Sequence, residues 1–170
     1  MSMRIKKIYQ GGLLKLAIVM MVMSVTDSYA APHIEGLIDN VVDPCMSASK
    51  TLTEPDFEKL MQNAVAMLDP CYKALVDLDT FEKTNPNMTP SEQNYLFFRG
   101  GYVVWVTAAA EIIRNDNTVN EHICNQVQIA DSLWSQVSVP PGHAVEEEIK
   151  NYPLRPMLVS VCEKPFLKPN

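Results

Sequence analysis

The chain has 170 residues, with 14 Lys and Arg against 20 Asp and Glu, and a formal net charge of −6. If residues 1–30 are set aside, ten basic and nineteen acidic residues remain, and the net charge becomes −9. This acidity argues against nucleic acid or an anionic membrane as a partner, and it suits a basic protein partner.

The N-terminal thirty residues have the pattern of an export signal. Arg4, Lys6 and Lys7 precede an uncharged apolar run at 16–25, and small residues follow at 28–30. A basic region, a short apolar region and a small-residue cleavage site are typical of a secretory signal peptide. The sequence predicts a signal peptide at 1–30, cleaved after Ala30, and one exported helical domain at 31–170. An uncleaved membrane anchor is the alternative, but the apolar run is shorter than the about 20 residues that span a bilayer.

All four cysteines lie in the exported part, and two of them repeat one motif. Asp-Pro-Cys occurs at 43–45 and again at 69–71, and the remaining cysteines are Cys124 and Cys162. An even number of cysteines in an exported chain predicts two disulfides, and the spacing leaves three pairings open. Reactive thiols at helix starts are the alternative, but the chain has no Cys-x-x-Cys.

The segment 53–68 predicts an amphipathic helix with Thr53 as its N-cap and acidic residues in its first turns. Because proline fits the first turn of a helix, each Asp-Pro predicts a new helical start, with Asp43 and Asp69 as N-caps. The apolar stripe of the first helix is Phe57, Leu60, Met61, Ala64 and Leu68.

The segment 89–114 predicts one long helix. Thr89, Pro90 and Glu92 supply an N-cap, a first-turn proline and a capping-box acid. The Gly100-Gly101 pair inside the helix predicts the close approach of a neighbouring backbone, or a bend, since each glycine costs about 1 kcal/mol relative to alanine. A largely aromatic seam follows at steps of three and four residues: Tyr95, Phe98, Tyr102, Trp105, Ala109 and Ile112.

Two further helices are predicted after a break at 114–118. Residues 119–137 carry an apolar face that ends at Trp134 and Val137, and 140–153 form a shorter helix bounded by prolines. No stretch alternates with period two, so no sheet is expected. The sequence therefore predicts an all-α fold, a single small domain of about five helices stapled by two disulfides.

Catalytic and metal-binding motifs are scarce. The chain contains neither G-x-S-x-G nor H-E-x-x-H, and His33, His122 and His143 lie in separate segments. His122 and Cys124 have half of the spacing of a zinc site, but no second ligand pair accompanies them. We expect no enzymatic activity, no metal site and no cofactor.

From Tyr95 onward the order of motifs resembles a known family. The stretches are GYVVWVTAAAEII, HICNQVQIADSLWSQV and HAVEEEIKNYPLRPMLVSVCEKPF, and the matching positions are Gly101, Tyr102, Cys124 and Cys162. The periplasmic Rap/Tai-type immunity proteins of type VI secretion have a Gly-Tyr-apolar helix and a cysteine that opens an amphipathic helix. A later apolar helix closes with a cysteine near a proline.

This resemblance implies an all-helical periplasmic protein that is often dimeric, and a disulfide between Cys124 and Cys162. The other disulfide is then expected between Cys45 and Cys71, where it links the two Asp-Pro-Cys motifs. Some members of the family bind and block a peptidoglycan amidase. The function implied is that of an immunity-type inhibitor, a periplasmic binding protein that neutralises a secreted cell-wall hydrolase by occluding its cleft.

The expected partner-binding residues are His143, Glu146, Glu147 and Glu148. They belong to PPGHAVEEE, which joins two helices and combines a stiff turn with negative charge. The alternative for the glutamate run is a solvated helix face. The alternative function is a periplasmic helical chaperone of the acid-stress kind with no toxin partner.

Overall fold

The computed structural model describes residues 3–4, 33–139, 144–150, 160 and 162, and it shows a small all-α domain. The predicted fold class is confirmed. Apart from Met3 and Arg4, the predicted signal peptide lies outside the described residues. The helices are α1 (His33–Ser49), α2 (Phe57–Thr84), α3 (Pro90–Arg114), α4 (Glu121–Ser135) and α5 (Ala144–Lys150), with a 3-10 turn at Lys50–Thr53.

Within the described residues, extended structure is confined to one short ladder. β1 (Met3–Arg4) pairs antiparallel with β2 (Thr118–Val119). β2 follows a turn at Asp116 and Asn117, whose φ angles of 52° and 57° lie in the left-handed region that Asp and Asn tolerate best among residues with a side chain. Because β1 lies inside the predicted signal peptide, cleavage after Ala30 would remove this ladder.

α3 is the central helix and is buried on nearly all sides in its middle turns. It packs against α1, α2 and α4 and contributes to two core clusters. Val103 and Val106 belong to the cluster shared with α1 and α2, whereas Tyr102 and Trp105 belong to the cluster shared with α4. By length and composition α3 alone among the described helices would suffice to cross a membrane, but 83% of its most apolar window is buried inside the protein. Its apolar composition therefore reflects its place in the core.

The start of α3 is confirmed as a capping box. The hydroxyl oxygen of Thr89 accepts a hydrogen bond from the Glu92 N–H, and the Glu92 carboxylate accepts one from the Thr89 N–H at 2.6 Å. The start of α2 differs from the prediction. Asp56 is its N-cap and accepts from the Lys59 N–H at 3.1 Å, whereas the Thr53 hydroxyl donates to the carbonyl of Lys50.

The displaced cap of α2 has a local cause. Pro55 drives the residue before it out of the helical region, and Glu54 has ψ 124°. The helix therefore begins only after Pro55. The expected burial of Phe57 is wrong, because this first residue of α2 is 42% exposed, whereas Leu60, Ala64 and Leu68 are buried as predicted.

The two Asp-Pro-Cys motifs do not start helices, which corrects the prediction made for Asp43 and Asp69. Pro44 lies inside α1 and Pro70 lies inside α2. Each proline removes one helical hydrogen bond and its ring crowds the preceding turn. The helices continue through them because the neighbouring cysteines are anchored in the core at the point where α1 and α2 meet.

Both disulfides have the predicted pairing. Cys45 and Cys71 are fully buried and join α1 to α2, with their Cα atoms 4.5 Å apart. Cys124 joins the first turns of α4 to Cys162, across a sequence separation of 38 residues. The first disulfide lies in the α1–α2–α3 cluster and the second in the α3–α4 cluster, so each half of the core holds one crosslink.

The glycine pair in α3 accommodates a side chain rather than a neighbouring backbone. A Cβ on Gly101 would lie 2.3 Å from Nε1 and 2.4 Å from Cδ1 of Trp134. The same indole N–H donates to the carbonyl of Phe98 at 3.2 Å. A Cβ on Gly100 would meet Leu133 only at 3.5 Å, an ordinary contact. Gly101 is thus where the α4 indole packs directly on the backbone of α3.

Candidate partner-binding site

The predicted partner-binding segment is partly described. Glu146, Glu147 and Glu148 all lie in α5, whose first residue is Ala144. Glu146 is half-buried. His143 lies outside the described residues. The neighbour of Glu146, Val145, lines a cleft against α3, so the acidic helix begins at the edge of a concave surface.

The chain that leads to this segment is anchored on α3 by Asn94. The side-chain N–H of Asn94 donates to the carbonyl of Ser138 at 2.8 Å, and its amide oxygen accepts from the Ser138 N–H at 3.1 Å. A carboxamide carries one acceptor and two donors, so it pairs with a backbone unit as a second strand would. Residue 138 is thereby held two positions before Pro140.

A cleft of about 250 Å³ lies beside this anchor. Its walls come from the first turns of α3, from the segment after α4 and from the start of α5. The volume lies below the roughly 300–1,000 Å³ of small-molecule pockets, and it suits one or two inserted side chains. The lining combines Tyr95, Phe98, Val137, Val139 and Val145 with the polar edge of Ser91 and Asn94.

Tyr95 connects the cleft to a charged cluster between α1 and α3. Its hydroxyl donates to Oδ1 of Asp39 at 2.8 Å. Nη2 of Arg99 lies 2.9 Å from Asp39 and 3.6 Å from Asp43, and the Arg99 side chain is 9% exposed. Two carboxylates thus accompany one buried guanidinium, which offsets the cost of removing its charge from water. The pairs tie the middle of α1 to the first half of α3.

Glu35 is buried beside this cluster, and within the described part of the chain its Oε2 has no hydrogen-bond partner. Burial, together with the nearby charges of Asp39 and Glu92, raises the pKa of Glu35 above its usual value. The hydrogen bonds from the Thr89 backbone and hydroxyl lower the pKa of Glu92. Burial and the bond to Asp39 raise the pKa of Tyr95, so its phenol stays protonated when it donates.

A second buried carboxylate, Glu111, lies where α2, α3 and α4 meet. The Tyr72 hydroxyl donates to its Oε1, and Nε2 of His122 lies 3.4 Å from its Oε2. Nε2 of Gln126 lies 3.2 Å from the same His122 nitrogen. A carboxylate–histidine pair can orient a general base. These residues line neither of the two clefts found among the described residues.

Residues 47–50 read Ser-Ala-Ser-Lys, which has the S-x-x-K spacing of a serine nucleophile with a lysine partner. Ser47 lies in the last turn of α1 and Lys50 begins the 3-10 turn. Both side chains are exposed, and neither lines a cleft described here. Across the described ranges no three His, Cys, Asp or Glu side chains come together as a metal site, and Cys124 beside His122 is in a disulfide.

No protein-family model, curated protein or solved structure matches this chain. The resemblance to Rap/Tai-type immunity proteins therefore stays a prediction that rests on the motifs of the C-terminal half.

Proposed function

We propose that this protein is an exported helical binding protein that neutralises a secreted cell-wall hydrolase by occluding its active-site cleft. The observation that carries the proposal is the pair of hydrogen bonds between Asn94 and Ser138. They hold the chain before Pro140 next to a cleft and an acidic helix. An inhibitory segment gains affinity when it is held in place before binding, because less conformational entropy is lost in the complex.

The two disulfides support an exported protein, because such bonds persist in non-reducing compartments. The signal-like sequence at 1–30 and the family resemblance narrow the proposed compartment to the periplasm. We expect the mature protein to begin at Ala31. Intact-mass analysis of protein from a periplasmic extract measures this directly, and a mass that retains residues 1–30 contradicts it.

The charge of the exported chain supports a basic partner. Its net charge is −9, and Glu146, Glu147 and Glu148 concentrate three of those negative charges in α5. Long-range attraction would chiefly speed association, whereas an apolar side chain seated in the cleft between Phe98 and Val145 would hold the complex. The resemblance also implies a homodimer, which light scattering on the purified protein tests.

Gene neighbourhood and co-expression separate this function from the acid-stress chaperone. A hydrolase encoded beside this protein is directed to the periplasm with and without the protein, and cell lysis is measured. We expect lysis only when the protein is absent. If no neighbouring hydrolase is bound or neutralised, the inhibitor proposal is wrong, and a solitary gene under acid control then favours the chaperone.

Two variants test the surface itself. Replacing Glu146, Glu147 and Glu148 with Gln should slow association with the hydrolase and weaken its salt dependence. Asn94→Ala should raise the dissociation rate, because the segment at Ser138 loses its anchor. Asn125→Ala, at an exposed position of α4, is the matched control and should bind as the wild type does. Equal binding by all variants would mean that the interface lies elsewhere on the protein.

A further inference from the structure

The buried carboxylate of Glu111 lies beside two polar side chains of α4. Glu111 is in α3 and is 1% exposed. Nε2 of His122 lies 3.4 Å from its Oε2, and Nε2 of Gln126 lies 3.2 Å from the same imidazole nitrogen. His122 and Gln126 are 4 residues apart, so they occupy one face of α4. None of the three lines the cleft beside Asn94, so this cluster is separate from the proposed inhibitory surface.

Two buried oxygen atoms of the cluster have unused acceptor capacity. Among the described residues, Oε2 of Glu111 and Oε1 of Gln126 have no hydrogen-bond partner. The other carboxylate oxygen, Oε1 of Glu111, accepts from the Tyr72 hydroxyl, which holds the carboxylate in place. The 3.4 Å between His122 and Oε2 is longer than the roughly 2.7–3.2 Å of an N–H···O hydrogen bond. Because an unmet buried acceptor is destabilising, an electropositive group between these atoms would be favourable.

The available protons do not satisfy the three side chains in this orientation. A protonated Nε2 of His122 can donate towards Glu111, but it then faces the amide N–H donors of Gln126. An unprotonated Nε2 accepts from Gln126, but its lone pair then lies near a carboxylate oxygen. Rotating the Gln126 amide by half a turn exchanges its oxygen and nitrogen within the same volume. An amide oxygen, a carboxylate oxygen and an imidazole lone pair then come together, and these are ligands for a cation.

The spacing of these atoms fits a tetrahedral metal ion. Zinc binds histidine nitrogen and carboxylate oxygen at about 2.0–2.2 Å, which places two ligand atoms of a tetrahedral site about 3.3–3.6 Å apart. The 3.4 Å between His122 and Glu111 falls within this range, and the 3.2 Å between His122 and Gln126 lies just below it. The side chain of His122 is 63% exposed, so an ion can reach the cluster from solvent.

We propose that Glu111, His122 and Gln126 bind one Zn²⁺ ion, with water completing the coordination. The ligand atoms are Oε2, Nε2 and Oε1, respectively, and the carboxylate supplies negative charge. The ion would join α3 to α4 near the disulfide of Cys124. Sequence spacing pairs His122 with Cys124, whereas the structure pairs it with Glu111 from another helix. The inference does not depend on the proposed inhibition of a hydrolase.

Isothermal titration calorimetry tests the site on the untagged, disulfide-bonded protein after treatment with EDTA and dialysis. ZnCl₂ is the probe, and MgCl₂ is the reference because Mg²⁺ requires octahedral coordination by oxygen. We expect one equivalent of Zn²⁺ to bind and Mg²⁺ to give no comparable heat. If Zn²⁺ does not bind, the three side chains form only a hydrogen-bond network and the proposal is overturned.

His122→Ala is the main variant, since this side chain is mostly exposed. It should weaken Zn²⁺ binding by about tenfold or more, because loss of even an outer partner of a metal ligand has an effect of that size. His33→Ala, which replaces the histidine that begins α1, is the matched control and should bind as the wild type does. Gln126→Ala should also weaken binding, whereas Gln128→Ala, at an exposed position of α4, should not. Circular dichroism verifies that the helices remain.

The imidazole nitrogens give a second readout, which a purely structural role of His122 would not change. Two-bond ¹H–¹⁵N NMR spectra of histidine side chains show which ring nitrogen is protonated or bound to metal. We expect Zn²⁺ to shift Nε2 of His122 and to leave His33 and His143 unchanged. Unchanged affinity in His122→Ala, equal weakening in the control variants, or equal shifts of all three histidines would mean that Zn²⁺ binds elsewhere on the surface. Each of these results contradicts the proposal.

Discussion

At the scale of single residues, Gly101 is where the indole of Trp134 packs directly on the backbone of α3. A Cβ there would overlap the indole of Trp134, which is 3% exposed and held by its bond to Phe98. We expect Gly101→Ala to lower the free energy of unfolding by about 1–3 kcal/mol, because the overpacked indole must move. Urea denaturation of the purified protein measures the change.

Gly100→Ala is the matched control on the neighbouring residue. Its Cβ would make an ordinary contact with Leu133 at 3.5 Å, and alanine favours a helix over glycine by about 1 kcal/mol. We expect it to be neutral or stabilising. Equal losses for the two alanine variants would mean that the packing of Trp134 is not what requires glycine.

Glu35 makes stability depend on pH in a defined direction. The pKa of Glu35 is raised in the folded protein. Between the usual pKa near 4.5 and this raised pKa, the folded state therefore binds a proton that the unfolded state has lost. Its contribution is complete below about pH 4.5 and is lost as the pH rises through the raised pKa. Glu92 works in the opposite sense, because its lowered pKa gives stability that is lost below that range.

We therefore expect Glu35→Gln to stabilise the protein at pH 7. We also expect the variant to gain less stability than the wild type when the pH is lowered from 7 to 5. Glu82→Gln, at an exposed position of α2, controls for the loss of one negative charge. Thermal unfolding at the two pH values gives the comparison. If Glu35→Gln destabilises the protein at pH 7, the ionised carboxylate has a favourable partner and the reasoning is wrong. This direction also bears on the acid-stress chaperone alternative. Protonation of Glu35 in mild acid favours the folded state, whereas such a chaperone would need to expose apolar surface at low pH.

At the scale of elements, α1 and α2 each contain a proline in the helix interior, and a substitution of Pro70 tests what that proline does. Proline in a helix interior costs about 3 kcal/mol or more through the lost hydrogen bond and the clash with the preceding turn. We expect Pro70→Ala to raise the free energy of unfolding by about 1 kcal/mol or more, because the Ala66 carbonyl regains its donor. Urea denaturation and the amide exchange rate of residue 70 measure this.

A gain in stability from Pro70→Ala would mean that the proline is not present for the stability of the fold. A loss would mean that α2 has adapted to the proline in its packing at the disulfide. Pro55→Ala provides the comparison, because Pro55 precedes the Asp56 cap and interrupts no helix.

The helix starts show how far local sequence determines an element. The capping box at Thr89 and Glu92 was predicted correctly, since every group it needs lies within four residues. Asp43 and Asp69 present the same local pattern, an N-cap residue before proline, and there the prediction was wrong. Propensity alone favoured an end to each helix, but the buried Cys45 and Cys71 outweigh it through contacts between residues 26 positions apart.

At the scale of the whole molecule, the two disulfides stabilise different parts of the core. Cys45 and Cys71 belong to the cluster shared by α1, α2 and α3, and Cys124 and Cys162 to the cluster shared by α3 and α4. We expect replacement of either pair by alanine to cost about 2–4 kcal/mol, in the chain-entropy account. The two costs should add if the clusters act independently, and they will not if Met46 and Leu75, which pack against both clusters, couple them. Urea midpoints of the two double variants and the quadruple variant decide this.

A quadruple variant that loses much less or much more than the sum would show that α3 couples the two clusters. Reduction of the wild-type protein with dithiothreitol should give the same total loss, which separates the effect of the crosslinks from that of the alanine substitutions.

The sequence by itself determined the all-α class, the long helix α3, the helix α4 and the expectation of two disulfides, because helical periodicity, caps and cysteine count are local or countable properties. Only the tertiary structure decided which groups meet. Asn94 and Ser138 are 44 residues apart, and Arg99 and Asp39 are 60 residues apart, so no local sequence pattern predicts either pair. The two Asp-Pro-Cys motifs are a further case, because their local pattern predicted two helix starts. Burial of their cysteines against each other turned the prolines instead into the lining of one surface.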